Sequence, residues 1–137
     1  ATGTMGHVFT PNLLLKNLGE KELSTYDALV IPGGPASTTY LWNNDRIQNI
    51  IRYFHENKKI VATICYACIA PAQTGILEEK VATVFPTDEA KAHFTKHNVT
   101  FSSDGCVTLK EDKIITAQGP SFAKSFGKAI LDLLASE

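Results

Sequence analysis

One stretch constrains this chain more than any other, a continuous apolar run that ends at a pair of cysteines. The run covers residues 60–64 and is rich in β-branched side chains, and mostly small or apolar residues follow Cys65 as far as Gly75. This pattern predicts a buried strand that turns sharply into a helix, with a thiol at the turn. A thiol at a helix N-terminus is favoured as the thiolate, whereas a buried free cysteine often serves only as a small hydrophobic residue. Both interpretations of Cys65 are open from this stretch alone.

The size and charge of the chain exclude several classes of protein. A length of 137 residues predicts a single domain over residues 1–137. A net charge of −1 without a basic stripe argues against nucleic acid or an acidic membrane as the main partner. No apolar run approaches the roughly 18 residues of a membrane span, and no signal segment opens the chain. Three cysteines are an odd number without disulfide-like spacing, which favours a reducing, cytoplasmic setting.

Strands and helices alternate through the first half of the sequence. Residues 27–31 predict a buried strand that stops at a Pro-Gly-Gly-Pro loop containing Gly34. Asp45 begins an amphipathic helix, and the strand at residues 60–64 follows it. This alternation indicates a parallel sheet covered on both faces, with sites beyond the carboxyl ends of its strands. Gly34 and Cys65 both lie at such ends.

The remaining segments complete an α/β pattern. Residues 12–16 predict an edge strand, and residues 19–26 a surface connection. A strand is expected at residues 80–86 and a helix capped by Thr87 or Asp88 that ends near Asn98. Residues 99–101 predict a short strand, residues 106–109 and 113–116 a hairpin, and residues 119–121 the start of the last helix.

The strand, cysteine and helix together predict the geometry of a nucleophile elbow at Cys65. The backbone N–H of Tyr66 and one from the Gly33-Gly34 loop would then form an oxyanion hole. The thiolate would still need a proton partner. An alternative is that Cys65 and Cys68 form a C-x-x-C redox dithiol, although Ile64 stands where the thioredoxin pattern has tryptophan.

The other candidate ligands in the sequence predict no metal site. His93 and His97 share a helix face, but no further cysteine or carboxylate accompanies them in a recognised metal-binding pattern. They are expected to be solvated surface side chains. Cys106 is expected to be incidental, and we expect no metal and no cofactor.

Four motifs in order and at consistent spacing give the chain a family resemblance. They lie at residues 26–34, 62–65, 80–83 and 116–120, and together they resemble the ThiJ/PfpI superfamily from about Asn12 to the C-terminus. The resemblance implies a flavodoxin-like three-layer α/β sandwich with a mostly parallel sheet, similar to the class I glutamine amidotransferases. It also implies a homodimer, with Cys65 as nucleophile and the amides of Gly34 and Tyr66 binding an oxyanion.

The sequence departs from the family pattern in three places. The opening strand, helix and strand, about 30–50 residues, have no counterpart, so we expect this chain to lack that N-terminal portion and the acid that hydrogen-bonds the cysteine. Glu20 and Glu22 do not match the position of this acid. Tyr66 stands where PfpI-type proteases have histidine, and Phe85 stands where some deglycase-type members have histidine before proline.

The resemblance implies two classes of function. The first is a cysteine-dependent activity on small reactive carbonyls or their protein adducts, as a hydrolase or lyase of glyoxalase or deglycase type, with Cys65 attacking the carbonyl. The second is a redox-responsive, chaperone-like or binding module in which Cys65 is oxidised. Intracellular cysteine peptidase activity ranks below both because of Tyr66.

Overall fold

The computed structural model describes residues 1–3 and 5–136, and a β-α-β unit lies at its centre. Strand β1 spans Ala28–Ile31 and strand β2 spans Ile60–Ile64. Between them lie the short helix α2, Ser37–Tyr40, and the longer helix α3, Asp45–Glu56. Asn44 caps α3, since its Oδ1 accepts a hydrogen bond from the Ile47 backbone N–H at 3.0 Å.

The other elements follow in chain order. Helix α1 spans Glu20–Leu23, α4 Ile69–Thr74, α5 Asp88–Lys96 and α6 Ala123–Ala135. The remaining strands are β3 (Val81–Ala82), β4 (Thr100–Phe101), β5 (Cys106–Leu109) and β6 (Ile114–Ala117). Short 3₁₀ turns are Leu15–Asn17, Cys65–Cys68 and Pro120–Phe122.

The central sheet has four strands in the order β1-β2-β6-β5. Strands β1, β2 and β6 are parallel, and β5 joins β6 as the predicted antiparallel hairpin. The β2–β6 register pairs Ile64 with Ala117, so these two strands end at the same level of the sheet. Strands β3 and β4 form a separate parallel pair.

Helices cover both faces of the central sheet. Alternate residues of β2 divide between the faces, as the period of a strand requires. On one face Ile60 and Ala62 pack with Phe126 and Leu133 of α6. On the other face Val61 packs in a cluster that contains the apolar side of α3, including Ile51 and Phe54, with exposed fractions of 0% and 2%. Burial of each such side chain contributes about 1.5–3 kcal/mol.

These observations confirm the predicted α/β fold class, a three-layer sandwich with a mostly parallel sheet. The predicted helix from Asp45 and the strand at residues 60–64 are also confirmed. Thr87 is the N-cap of α5, as one of the two expected candidates, and its Oγ1 accepts from the Ala90 N–H at 3.2 Å. Within the described residues no helix is long and apolar enough to cross a bilayer.

The strand predicted at residues 12–16 is wrong. Leu15–Asn17 forms a 3₁₀ turn instead, and Leu13, Leu14 and Leu15 are exposed. The Leu15 carbonyl accepts hydrogen bonds from the guanidinium of Arg46, at 3.1 Å from Nη2. An arginine on α3 therefore satisfies a backbone group that a strand would have paired in a ladder.

Two further segments differ from expectation. Residues 19–26 were expected to be a connection, but they contain α1, where the Glu22 carboxylate accepts from the Gly19 N–H at 2.8 Å. The strand expected at residues 80–86 is reduced to β3. After β3 the Thr83 N–H donates to the side-chain hydroxyl of Thr116 in β6 at 3.0 Å, and not to a backbone carbonyl of a strand ladder.

Candidate functional site

Cys65 lies at a sharp change of backbone direction, directly after the central strand β2. Ile64 is extended, whereas Cys65 has a φ of 62° in the left-handed region, and the 3₁₀ turn that it begins leads into α4. This conformation costs an L-residue about 1–2 kcal/mol. The other non-glycine residues with positive φ all lie in turns, namely Asn43, Lys58, Glu79, Asn98 and Lys113. Strain at the end of a central parallel strand is the feature of a nucleophile elbow.

The glycine loop after β1 approaches this elbow so closely that it excludes a side chain. A Cβ on Gly33 would lie 2.5 Å from the Ile64 carbonyl oxygen and 2.7 Å from the Cys65 Cβ. It would also lie 3.2 Å from the Tyr66 backbone nitrogen. Gly34 follows with a φ of 112°, a conformation that favours glycine.

The structure thus brings together the glycine loop and the turn at Cys65, which the sequence predicted to form one site. Gly34 directly follows Gly33, the residue that contacts the elbow. The Gly34 carbonyl accepts a hydrogen bond from the Ser37 N–H at 3.0 Å. The Tyr66 amide begins the turn after Cys65. Joint binding of an oxyanion by the amides of Gly34 and Tyr66 stays a prediction.

An aromatic cluster surrounds Tyr66, and the sequence reasoning missed it. The Trp42 indole Nε1 donates a hydrogen bond to the Tyr66 carbonyl at 2.8 Å, and Trp42 is only 7% exposed. The Tyr66 ring lies edge-on to Trp42, with centroids 5.8 Å apart, and edge-on to Phe85, with centroids 5.3 Å apart. The one available signal was that Trp42 is the single tryptophan of the chain.

His93 is not the solvated side chain that its helix position predicted. Its ring lies 4.8 Å from that of Trp42, and its Nδ1 is buried without a hydrogen-bond partner among the described residues. His97 is half-buried, and its pKa is lowered by burial and, to a smaller degree, by Lys96 and His93. Across the described ranges no group of three or more His, Cys, Asp or Glu is arranged to hold a metal ion.

The three thiols have different environments. Cys65 is half-buried, while Cys68 is 0% exposed and its Sγ donates to the Ala117 carbonyl at 3.5 Å. Burial raises the pKa of Cys68 to about 12, which opposes its participation in a redox dithiol. Cys106 lies on the edge strand β5, is half-buried, and has a pKa raised by burial.

A small cavity opens near the carboxyl end of β6. Its volume is about 190 Å³ and its lining consists of Phe85, Pro86, Gln118, Gly119, Pro120, Ser121 and Phe122. The Gln118 side-chain amide donates to the Ser103 carbonyl at 3.2 Å. A Cβ on Gly119 would lie 3.3 Å from Cδ2 of Phe85, so Gly119 keeps this side of the cavity open.

Glu20 and Glu22 lie on α1, before the first strand, and both residues make hydrogen bonds there. Glu22 accepts from the Gly19 amide, and the Glu20 carbonyl accepts from the Tyr53 hydroxyl at 3.5 Å. Tyr53 lies in the last part of α3, toward the end of the sheet where β2 begins. In the part of the chain that the structure describes, no carboxylate or imidazole hydrogen-bonds the Cys65 thiol.

Comparisons with known proteins find a matching family and several relatives. The model of the DJ-1/PfpI family matches residues 1–133. An uncharacterized protein of Methanocaldococcus jannaschii is 33% identical over 129 residues, which are 94% of this chain and 60% of that protein. The glutathione-independent glyoxalase DJ-1 of Schizosaccharomyces pombe is 29% identical over 113 residues, 82% of this chain and 56% of that protein.

The solved structures that match have the same fold. A ThiJ/PfpI domain protein from Brachyspira murdochii superposes with a TM-score of 0.87 at 31% identity, covering 100% of this chain and 75% of its own. The DJ-1 superfamily protein Atu0886 from Agrobacterium tumefaciens gives a TM-score of 0.79 at 28% identity, covering 98% and 68%. The chain spans about 60% of the length of the archaeal relative that it matches.

Proposed function

Because the chain belongs to the DJ-1/PfpI family, we propose that Cys65 is the nucleophile of a cysteine-dependent activity on small reactive carbonyls or their protein adducts. The activity is of glyoxalase or deglycase type. One relative, in Schizosaccharomyces pombe, is named a glutathione-independent glyoxalase. The observation that carries the proposal is the left-handed backbone of Cys65 at the end of the central parallel strand.

The first step is addition of the Cys65 thiolate to the carbonyl carbon. A C–S bond forms, the carbonyl π electrons move to oxygen, and the product is a hemithioacetal oxyanion. The Tyr66 N–H and the Gly34 N–H are the donors assigned to this oxygen, because backbone amides stabilise charge as it develops without reorganising.

A 2-oxoaldehyde then reaches its product without an external oxidant. The aldehyde carbon of the hemithioacetal loses its proton, and the neighbouring carbonyl carbon gains one through an enediol. The result is a 2-hydroxyacyl thioester on Cys65. Water adds to the thioester carbonyl and the thiol leaves, so that aldehyde plus water gives a 2-hydroxy acid.

The reaction also requires proton transfer. Among the described residues, no carboxylate or imidazole hydrogen-bonds the Cys65 thiol to provide it. The resemblance places the acid that hydrogen-bonds the cysteine on a segment that matches no part of this chain, and the Glu22 carboxylate is engaged with the Gly19 N–H. The nearest imidazole in the aromatic cluster, His93, contacts Trp42. We therefore assign to this chain the nucleophile and the oxyanion donors, and no general acid.

Turnover of methylglyoxal tests the proposal. Formation of lactate by the complete protein should fall by at least about a hundredfold in Cys65→Ala, because the covalent step is lost. Cys106→Ala is the matched control, since it removes another half-buried thiol on the edge strand β5. Equal lactate formation by the wild type and Cys65→Ala would refute the role of Cys65.

A second candidate function rests on the contrast among the thiols. Cys68 is fully buried, and burial raises the pKa of both Cys68 and Cys106. An oxidant should therefore select Cys65, as expected for a redox-responsive binding or chaperone-like module.

After mild peroxide treatment, peptide mass spectrometry should find sulfenate or sulfinate on Cys65 before it appears on Cys68 or Cys106. Uniform oxidation would remove the support for this function, and a disulfide between Cys65 and Cys68 would favour the dithiol.

Peptidase activity ranks third. PfpI-type proteases have histidine directly after the cysteine, and this chain has Tyr66 there. The Tyr66 side chain packs against the rings of Trp42 and Phe85. A phenol held in this way does not replace an imidazole as a general base near neutral pH.

A further inference from the structure

The cavity next to β6 lies at the end of the sheet that also carries the candidate nucleophile. Ile64 and Ala117 are paired across β2 and β6, so Cys65 and Gln118 are the next residues of two adjacent strands. Gln118 is one of the residues that line the cavity. Phe85 also lines the cavity, and its ring is 5.3 Å from that of Tyr66, the residue after Cys65.

The walls of the cavity are mostly apolar. Aromatic rings and proline rings dominate the lining, and Gln118 and Ser121 are its polar side chains. None of the lining residues carries a charge. A charged substituent would lose its hydration there without gaining a counter-charge, whereas an apolar group would be transferred from water favourably.

The size and shape of the cavity favour one small ring. Its volume of about 190 Å³ is below the roughly 300–1,000 Å³ of pockets for drug-sized ligands. Gly119 leaves space beside Phe85, since even a Cβ there would meet Phe85 Cδ2 at 3.3 Å. Aromatic pairs prefer edge-to-face or offset contacts, and both Phe85 and Phe122 line this space.

Phe85 makes this chain different from family members that the resemblance describes. Some of those members have histidine before the proline, where this chain has Phe85 followed by Pro86. A histidine would place a hydrogen-bonding and ionisable group at this wall. Phe85 places an apolar ring there, and 38% of its surface is exposed.

We propose, resting on the proposed function of Cys65, that this cavity binds the apolar and preferably aromatic substituent of the carbonyl compound that Cys65 attacks. The substrate class is then an aryl-substituted 2-oxoaldehyde, such as phenylglyoxal, in preference to methylglyoxal. The bond changes are those of hemithioacetal formation and hydrolysis described above. The cavity contributes binding of the ring and takes no part in proton transfer.

Labelling with two vinyl sulfones tests the cavity independently of turnover. Each reagent takes up the Cys65 thiolate at its terminal vinyl carbon, a C–S bond forms, and the resulting carbanion is protonated by water. The rates with phenyl vinyl sulfone and methyl vinyl sulfone are each divided by the rate with free cysteine. We expect a normalised phenyl preference of about tenfold or more at Cys65, and a preference near unity at Cys106 in the same molecules.

Variants of the lining should remove this preference. Gly119→Val fills the cavity beside Phe85, and Phe85→Ala removes a partly exposed aromatic side chain from the lining. Leu131→Ala is the control, because Leu131 is 66% exposed on α6 and should leave the preference unchanged. Circular dichroism establishes that each variant is folded, and Phe85→Ala serves if Gly119→Val is not.

The outcomes separate this inference from the proposed function. Equal normalised rates at Cys65, no reaction at Cys65, or a preference that persists in both lining variants would each overturn the cavity assignment. A phenyl preference without turnover of methylglyoxal or phenylglyoxal would support the cavity and contradict the carbonyl chemistry. Turnover of both aldehydes with equal kcat/KM would support the chemistry and contradict the cavity.

Discussion

The indole nitrogen of Trp42 donates a hydrogen bond across 2.8 Å to the backbone carbonyl of Tyr66, the residue after Cys65. Trp42 lies in the turn between α2 and α3, so the bond connects the segment after the glycine loop to the turn that carries the thiol. The Ile69 N–H donates to the same carbonyl from the start of α4. The peptide after Cys65 is therefore fixed by donors from two sides.

Trp42→Phe should destabilise the protein by about 2 kcal/mol, because it removes a buried hydrogen bond and leaves unfilled volume in the core. Urea unfolding measures this change. Tyr53→Phe is the matched control, since it removes a hydroxyl whose bond to the Glu20 carbonyl is long, at 3.5 Å, and exposed. We expect the control to change stability by less than about 0.5 kcal/mol. Equal effects of the two substitutions would contradict the role given to the Trp42 bond.

Cys65→Gly should be more stable than Cys65→Ala by about 1 kcal/mol. Position 65 has a φ of 62°, which glycine adopts readily and alanine does not. The measurement is the free energy of unfolding of both variants in urea. The same pair at Cys106, which lies in the strand β5, should show the opposite order, because glycine weakens a strand. A lower stability of Cys65→Gly than of Cys65→Ala would argue against strain at the elbow.

Gly33→Ala should cost about 1–3 kcal/mol through overpacking. The new Cβ would meet the Ile64 carbonyl oxygen and the Cys65 Cβ, and neither atom can move without shifting the backbone. Gly127→Ala is the control, because it lies within α6 and no atom is within 4 Å of its added Cβ. That substitution should stabilise the protein by about 0.5–1 kcal/mol through helix propensity. Thermal unfolding of the two variants should therefore shift in opposite directions.

His97 should make stability depend on pH in the mildly acidic range. Its pKa in the folded protein lies below its ordinary value of 6.5, because burial and the charges of Lys96 and His93 disfavour the protonated form. The unfolded chain then binds more protons, so stability is lost as the pH falls below about 6.5 and is regained above it. His97→Gln should show a smaller drop in Tm between about pH 8 and about pH 5. An identical drop in both proteins would exclude this contribution.

Local patterns were sufficient for much of the fold. The apolar spacing of α3 and the β-branched run of β2 each reflect one element and the surface that it buries. The position of Cys65 at the turn followed from the same run. At residues 12–16, where a strand was expected, the Leu15 carbonyl instead binds Arg46, which is 31 residues away in the chain. No local pattern contains that contact.

The surroundings of Cys65 were harder to predict because they come from distant segments. Trp42, Tyr66, Phe85 and His93 meet through ring contacts between four separate elements or turns. His93 was expected in solvent since the helix pattern shows which side chains share a face and not what the face packs against. Strand β3 is short, and the Thr83 N–H after it donates to the Thr116 hydroxyl. This contact also joins residues that are far apart in the chain.

The shared end of β2 and β6 has a consequence for insertions and deletions. Because Ile64 and Ala117 are paired, one residue added within β6 would displace Gln118 relative to Cys65 and turn every following side chain of the strand to the opposite face. A residue added in the turn before β6 would leave the pairing intact and would disturb contacts of the turn itself, among them the ion pair between Lys80 and Asp112. Relatives that keep the thiol beside the cavity should therefore vary in length at this turn and not within the two strands.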